Sequence, residues 1–256
     1  KSDCVHCVLY LISASLTKTS EYAVKVFSVS VKLYERILVK GVHIILMKGA
    51  IFDVDGTILD SMNVWYKVTD SFFRLHGLVL TDEKAEAYKE MTLEESLPQI
   101  NSEFGLGMTF SEIFEDFRAL VSVEYADNIQ LKPDVDTYLK TLHADGIKIA
   151  VATSGYEGMC KSAFRRLGII DYIDEYAFSS EVGVNKGQPD IYLLAAQRIG
   201  AEPEECIVYE DIVLGIETAK KAGFKTCAVY DDTNANETLL LKQISDRYIT
   251  GWTDLL

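Results

Sequence analysis

The sequence predicts an α/β protein whose parallel sheet carries a helical insertion after its first strand. After Pro133, short apolar runs alternate with helical segments of about ten residues, a pattern typical of a parallel sheet with helices on both faces. In residues 61–131 the apolar positions instead recur at helical spacing, and no strand is indicated. We therefore expect an α/β core formed by residues 47–60 and 132–256, and a helical-bundle cap formed by residues 61–131.

The first strand is predicted at the apolar run 50–52, which stops at the polar turn 53–57. In the insertion, Gly77, Pro98 and the turn at 105–107 are expected to separate about four helices. Two apolar stripes should form the buried faces of these helices. The stripes are Val64, Val68, Phe72 and Leu75, and Ile113, Phe114, Phe117, Leu120 and Val121.

The remaining elements are predicted to alternate between helix and strand. The expected strands are 147–152, 176–178, 206–209 and 225–229, and the expected helices are 138–143, 158–167, 189–199, 214–222 and 239–244. Helical connections of this length join parallel strands and return over the sheet. All of the predicted strands should therefore belong to one sheet.

The composition is that of a packed globular protein. Of the 256 residues, 48% are hydrophobic, 25% are charged and only 4 are proline, which excludes disordered and collagen-like chains. The net charge of −14 argues against binding to nucleic acid or to an anionic membrane, since both depend on Lys and Arg side chains. We expect neither as a partner.

Residues 1–46 differ in charge from the rest of the chain. They carry a net charge of +3, which leaves −17 for residues 47–256, and the first methionine is Met47, close to the first predicted strand. We interpret residues 1–46 as an N-terminal extension that is non-native or disordered. A targeting or anchoring segment is the alternative, but its apolar runs are shorter than the roughly 18–20 residues that a membrane-spanning helix needs.

The cysteines indicate a reducing compartment. Three of the five, Cys160, Cys206 and Cys227, lie in apolar contexts typical of reduced core thiols, so we expect a cytoplasmic protein. The pair Cys4 and Cys7 resembles half of a zinc site, but the sequence has no second pair to complete it, so we expect no metal there. We expect the protein to be a monomer or a weak homodimer.

Polar residues follow several predicted strands at the point where each strand ends. In a parallel sheet these carboxyl ends lie along one edge, where ligands bind. A lysine in a loop leading into a helix should reach the same edge. The residues expected to converge are Asp53, Asp55, Thr153, Ser154, Glu210, Asp211 and Lys186.

These residue types indicate phosphate chemistry. Clustered carboxylates repel one another unless a cation lies among them, and ligand sets made only of oxygen favour Mg²⁺ over zinc. Mg²⁺ and a lysine together suit a phosphate group, and the hydroxyl of Thr153 and the amides after it can donate to phosphate oxygens. A carboxylate beside a phosphorus atom can attack it and form an acyl phosphate.

The same residues resemble four motifs of the haloacid dehalogenase (HAD) superfamily, in the same order along the chain. Residues 53–57 (DVDGT) resemble the first motif, DxDGT, and 210–223 are similar to the family's run EDSxxGixAAkaAG. Thr153 and Lys186 match the second and third motifs. The resemblance extends from residue 47 to the C-terminus and implies a Rossmann-like HAD core. The insertion resembles the small helical cap of the subclass that includes beta-phosphoglucomutase and phosphoglycolate phosphatase.

The resemblance implies hydrolysis of a small phosphate monoester, such as a sugar phosphate, a nucleotide or a related metabolite, through an aspartyl phosphate. Asp53 would be the nucleophile, and Asp55 would protonate the leaving group and then activate water. The residues implied to bind phosphate are Thr153, Ser154, Gly155 and Lys186. Those implied to hold Mg²⁺ are Asp53, Asp55 through its backbone carbonyl, Asp211, and Glu210 as a ligand or as the partner of one.

The sequence departs from the family in the cap. Leu93 stands where beta-phosphoglucomutase has an arginine that binds a second phosphate, and Trp65 stands where the mutases have a hinge histidine. A leucine cannot make that charge-assisted contact, which favours a hydrolase whose leaving group is uncharged or apolar at this end. Trp65, Thr92 and Leu93 are thus candidate substrate residues, although Trp65 and Leu93 could equally belong to the core of the cap.

Two alternatives remain open at this point. One is phosphoryl transfer of the beta-phosphoglucomutase type, which would show itself as a strong preference for a bisphosphate. The other is a non-enzymatic binding module that keeps the HAD fold. Such a module should have lost the nucleophile or the acid, and both Asp53 and Asp55 are present.

Overall fold

The computed structural model describes residues 47–89, 91 and 93–256. The expectations for residues 1–46 and for Thr92 lie outside these residues, and of Trp65 only the backbone is described. Met47–Leu256 form one unit of structure. Within the described residues, no helix combines the length and the apolar character needed to cross a bilayer.

A six-stranded parallel sheet forms the centre of the protein, which confirms the predicted fold class. Its strands are β1 (Gly49–Phe52), β4 (Lys148–Thr153), β5 (Glu175–Phe178), β6 (Cys206–Glu210), β7 (Lys225–Val229) and β8 (Arg247–Ile249). Their spatial order is β5-β4-β1-β6-β7-β8. A second, antiparallel pair consists of β2 (Leu59–Asp60) and β3 (Gln130–Leu131). The sequence did not predict the edge strand β8, whose three residues are too few to show a periodicity.

The helices form the insertion and cover the sheet. Those of the insertion are α1 (Val64–Leu75), α2 (Asp82–Lys89), α3 (Leu93–Phe104) and α4 (Phe110–Val123), followed by a π-helical turn at Glu124–Asn128. Those of the core are α5 (Val135–Ala144), α6 (Glu157–Arg166), α7 (Ser179–Val182), α8 (Asp190–Arg198), α9 (Val213–Lys221) and α10 (Thr238–Ile244). Short 3₁₀ turns lie at Ile170–Tyr172, Pro203–Glu205, Asp232–Glu237 and Trp252–Leu255.

The central strand β1 is buried on both faces because its side chains alternate between two helical layers. Ala50 and Phe52 face the layer that contains α5 and α6, whereas Ile51 faces α8 and α9. Phe52 stacks on Tyr209 with ring centroids 4.5 Å apart. Phe52 also lies opposite Val151 and Tyr209 in the sheet register. Strands β1, β4 and β6 therefore end along one edge.

The insertion is a set of four helices, as expected, but two details of the prediction were wrong. Pro98 lies inside α3 and does not end it, because burial of Leu97 and Ile100 holds the helix together around the missing backbone donor. Leu75 is 59% exposed, and Phe73 is buried instead. The other residues of the two stripes are buried or half-buried. Periodicity thus predicted which segments are helical better than it predicted where a helix ends or which of its residues are buried.

The chain enters and leaves the insertion at adjacent points. Leu59 pairs with Leu131 and Asp60 pairs with Gln130, so β2 and β3 tie the two crossings together. Just after β3, the ammonium of Lys132 lies 2.7 Å from the carboxylate of Asp231. The two crossings therefore form one connection between the sheet and the inserted helices.

Candidate active site

Three buried carboxylates meet at the edge where β1 and β6 end. Asp53 directly follows β1, Glu210 is the last residue of β6, and Asp211 follows it. One carboxylate oxygen from each lies within 4.8 Å of the other two. Acidic groups this close can share a cation, and an all-oxygen set of this kind suits a hard divalent ion such as Mg²⁺.

Lys186 supplies the positive charge inside this cluster. It lies in the loop between α7 and α8, and its ammonium donates to Asp53 Oδ1 and to Glu210 Oε1. Burial opposes the charge, but the carboxylates of Asp53 and Glu210 raise the pKa of Lys186 above its usual value. The lysine therefore stays an ammonium between two carboxylates.

Glu210 has most of its hydrogen-bonding capacity occupied by the protein. Its Oε1 accepts from Lys186 and, at 2.9 Å, from the hydroxyl of Tyr192. Its Oε2 accepts from the backbone amide of Asp211 at 3.0 Å. A Cβ on Gly215 would lie 2.5 Å from Oε1 and 2.8 Å from the Tyr192 hydroxyl, so only glycine fits there. These contacts orient Glu210 towards Lys186.

Asp211 is held from two sides. Thr57 donates to its Oδ1 at 3.4 Å, and the Asn234 side chain donates to its Oδ2 at 2.8 Å. Gly56 adopts a φ of +83°, and a Cβ there would overlap the carboxylate of Asp211. Burial, with the charges of Glu210 and Asp53, raises the pKa of Asp211 well above its usual value.

Asp53 is also difficult to ionise without a cation. Burial, reinforced by the charges of Glu210 and Asp55 and opposed by Lys186, raises the pKa of Asp53 to about 7. The single ammonium thus does not fully offset the buried carboxylates. A divalent cation among Asp53 and Asp211 would supply the missing positive charge, so the residues present fit a metal site.

Asp55 points away from the carboxylate cluster towards the cap helices. Its Oδ1 accepts from the hydroxyl of Ser61 at 2.6 Å and from the hydroxyl of Tyr125, which lies in the π-helical turn after α4. Burial, with the charge of Asp55, raises the pKa of Tyr125 and keeps its hydroxyl protonated as a donor. Oδ2 of Asp55 is not occupied by these two bonds.

The segment after β4 lies against Asp55. Gly155 donates its backbone N–H to Thr153 Oγ1 at 2.9 Å. A Cβ on Gly155 would lie 3.2 Å from Thr153 Oγ1 and 3.5 Å from Asp55 Oδ2. Ser154 exchanges a hydrogen bond of 3.0 Å with Ser179. Three of the four residues implied to bind phosphate therefore lie beside Asp55, and the fourth, Lys186, contacts Asp53.

A cleft of about 310 Å³ opens beside Asp55 between the sheet edge and the cap helices. Leu93, at the start of α3, lines it, as does the segment from Ser154 to Tyr156. The other cap candidates, Trp65 and Thr92, cannot be placed because the side chain of one and the whole of the other lie outside the described residues.

Several residues of this site were not predicted from the sequence. Tyr192 carried a signal, since a tyrosine on the buried face of an apolar helix needs a partner for its hydroxyl. The others had no comparable signal, because no local sequence pattern indicates which carboxylate each one contacts. They are Ser61, Tyr125 and Asn234.

Comparison with known proteins identifies similar chains. A sequence profile described as haloacid dehalogenase-like hydrolase matches residues 47–223. The phosphorylated carbohydrates phosphatase of Thermotoga maritima is 27% identical over 183 residues, which cover 70% of this chain and 83% of the relative. Hexitol phosphatase A of Escherichia coli is 29% identical over 184 residues, which cover 71% of this chain and 82% of the relative.

A solved structure shows the same fold. The crystal structure of beta-phosphoglucomutase from Clostridium difficile superposes with a TM-score of 0.63 and covers 82% of this chain and 94% of its own. The two sequences are 24% identical over this match. The likeness therefore extends through both the sheet and the inserted helices.

Proposed function

The chain belongs to the haloacid dehalogenase-like hydrolases, and from that premise we propose that it is a Mg²⁺-dependent phosphatase of small phosphate monoesters. The observation that carries the proposal is the buried contact of Lys186 with Asp53 beside the carboxylates of Glu210 and Asp211. This arrangement combines a nucleophile, a cation for a phosphoryl group and oxygen ligands for a metal. The named phosphatases among its relatives support the same reaction.

Asp53 is the nucleophile in the first step. One of its carboxylate oxygens attacks phosphorus, the P–O bond to the leaving group breaks, and an aspartyl phosphate forms. Mg²⁺, when bound, offsets the negative charge of the phosphoryl oxygens. Asp53, Asp211 and the backbone carbonyl of Asp55 would hold it. Glu210 acts by orienting Lys186, since its oxygens already accept hydrogen bonds from the protein.

Asp55 handles the proton in both steps. Ser61 and Tyr125 occupy its Oδ1, which leaves Oδ2, beside Gly155, to carry the proton. Asp55 gives this proton to the departing alkoxide and later takes one from the water that attacks the aspartyl phosphate. The second step releases inorganic phosphate, regenerates the carboxylate of Asp53 and leaves Asp55 protonated for the next turnover.

The remaining residues bind the phosphoryl group and enclose it. Lys186 and the hydroxyl of Thr153 stabilise its oxygens, together with the amide of Ser154, while Gly155 orients Thr153 through its own N–H. The helices of residues 61–131 act as a lid over a core formed by residues 47–60 and 132–256, with the paired strands β2 and β3 as the hinge. Closure excludes water from the aspartyl phosphate until the leaving group has left.

We favour a hydrolase over a mutase. A mutase must bind a second phosphate at the cap, and Leu93 is apolar where beta-phosphoglucomutase has an arginine for that phosphate. The arginine that does line the cleft, Arg118, is paired with Glu115. The three described cysteines are free and buried, which supports a reducing compartment such as the cytoplasm. The partner of this reaction is a small phosphorylated metabolite.

Steady-state kinetics on a panel of phosphate monoesters test the proposal. We expect hydrolysis in the presence of Mg²⁺ and its loss in excess chelator, restored by adding Mg²⁺ again. Glucose-phosphate isomerisation that outruns hydrolysis would favour the mutase. Complete inactivity on the whole panel with Mg²⁺ would leave only the binding module.

Mg²⁺ affinity should depend on pH. Because the pKa of Asp53 is raised to about 7 in the metal-free protein, a proton must leave this carboxyl before the metal binds at lower pH. With one proton displaced, we expect affinity about tenfold weaker at pH 6 than at pH 8. Isothermal titration calorimetry in buffers of different ionisation enthalpy measures both the affinity and the protons released.

The Asp53→Asn variant is the control for this titration, because its amide cannot take up the proton. Its affinity for Mg²⁺ should be weaker throughout and should vary less between the two pH values. Equal affinity of the unmodified protein at pH 6 and pH 8, without proton release, would contradict a raised pKa at Asp53.

Replacing Tyr125 by phenylalanine should impair the proton transfers. The variant removes one donor to Asp55 Oδ1, so the carboxyl group is less firmly oriented for proton transfer. We expect kcat to fall about tenfold with KM nearly unchanged. Tyr66→Phe, at an exposed tyrosine of α1, is the matched control. A change in KM alone would contradict this role.

A further inference from the structure

The cleft beside Asp55 is lined mainly by apolar side chains. Polar groups are concentrated at its reacting end, where Asp55, Ser154 and Gly155 lie. The walls that extend from there come from α3 and α4 of the cap and from the start of α6. Their apolar and aromatic residues are Leu93, Phe114, Phe117, Val121, Tyr156 and Met159.

Arg118 carries the one positive charge among the described residues of this lining. Its side chain is 45% exposed, and its Nε and Nη2 both donate to Glu115 Oε2, at 2.9 and 2.5 Å. The ion pair balances its charge within the cap and holds the guanidinium plane in one orientation. Arg118 therefore offers the cleft a flat face and remaining N–H groups rather than an unpaired charge.

This lining suits some leaving groups better than others. A sugar or polyol carries several hydroxyls, each of which needs a hydrogen-bond partner once it is removed from water. The walls formed by Leu93, Val121 and Met159 provide none. A planar ring, in contrast, gains from burial against aliphatic side chains and from stacking on aromatic rings or on a guanidinium.

The size of the cleft limits the occupant further. At about 310 Å³ it falls at the small end of ligand pockets, which span roughly 300–1,000 Å³. It can hold the leaving group of a small metabolite. The cleft is too small for a phosphorylated protein surface or a nucleic-acid helix.

We infer that the cleft selects phosphate monoesters whose leaving group carries a planar ring, which packs against Phe114 and the guanidinium of Arg118. This inference rests on the proposed phosphatase activity and adds the substrate class to it. Arg118 and Phe114 are then residues that determine specificity. The groups near Asp55 contact the phosphate ester, which every monoester shares.

A pair of esters isolates the contribution of the ring. Ribose 5-phosphate and uridine 5′-monophosphate share the same primary ester on the same sugar and differ in the base that only the nucleotide carries. We expect kcat/KM with Mg²⁺ to be about tenfold or more higher for uridine 5′-monophosphate, as stacking of a base on such a surface allows.

Two variants of the cap locate the preference. Arg118→Gln and Phe114→Ala should each reduce the ratio of the two kcat/KM values about fivefold. Arg74→Gln is the matched control, because Arg74 is an exposed arginine of α1 that pairs with Asp70 at 2.8 Å and does not line the cleft. Because Arg118 is exposed, its variant should fold normally, so a changed ratio would not result from misfolding.

The outcomes separate this inference from the function on which it rests. Equal or faster turnover of ribose 5-phosphate, or a ratio that neither variant alters, would overturn the selection of a ring and leave the phosphatase standing. Absence of hydrolysis with every ester would defeat the phosphatase and the inference together.

Discussion

Replacing Asp53 by asparagine should abolish turnover of phosphate esters. An amide oxygen is a far weaker nucleophile than a carboxylate, so we expect kcat/KM to fall by roughly four orders of magnitude or more. Lys186 keeps its contact with Glu210 in this variant, and the fold should persist. Steady-state assays sensitive enough to detect so small a kcat/KM measure the loss of activity. A thermal melting curve measures whether the variant stays folded.

Asp232→Asn provides the matched control for this change. Asp232 is an exposed aspartate whose contact is to Tyr230 at 2.7 Å, outside the carboxylate cluster. Its variant should retain activity within about twofold, as expected for a surface substitution. If Asp53→Asn kept more than about a tenth of the activity, Asp53 could not be the attacking group.

Replacing Lys186 by methionine should reduce both stability and catalysis. Among the described residues, Lys186 is the one ammonium in contact with Asp53 and Glu210, and the variant leaves these two buried carboxylates without a cationic partner. Loss of one partner from a buried ion pair costs about 3–5 kcal/mol in the free energy of unfolding. Loss of a group that stabilises the transferring phosphoryl lowers kcat about 100- to 1,000-fold.

Mg²⁺ should offset part of this loss of stability, because it supplies positive charge to the same carboxylates. At 100 times its dissociation constant, a ligand specific to the folded state adds about 2.7 kcal/mol. Lys148→Met is the control, since Lys148 pairs with Asp174 at a largely exposed site, where such pairs contribute about 0–1 kcal/mol. Equal melting temperatures for the Lys186 and Lys148 variants without metal would contradict the claim that Lys186 stabilises the fold through the buried carboxylates of Asp53 and Glu210.

The fold was predictable where the chain signals buried faces and polar ends. An apolar run such as 50–52 that stops at Asp53 places both a strand and the edge at which it ends. The prediction was wrong at Pro98 and Leu75, where tertiary packing rather than local preference decides which residues are helical and which are buried. Element types followed from periodicity, and element ends did not.

The site was predictable in its main carboxylates and lysine but not in the groups that orient them. Asp53, Glu210 and Lys186 meet because strand ends and the following loops share one edge. The contact of Tyr125 with Asp55 depends on a π-helical turn that brings a cap residue back to the sheet. No local pattern in a single sequence encodes a pairing of that kind.

Trapping the covalent intermediate tests the account most directly. Acetyl phosphate has a leaving group that departs without a proton, so Asp55→Asn protein can still be phosphorylated but lacks the base that activates water. With Mg²⁺, mass spectrometry should find one phosphoryl group on the peptide that contains Asp53, and none when Asp53→Asn is combined with this variant. A phosphoryl group on another residue, or its persistence in the double variant, would contradict Asp53 as the nucleophile.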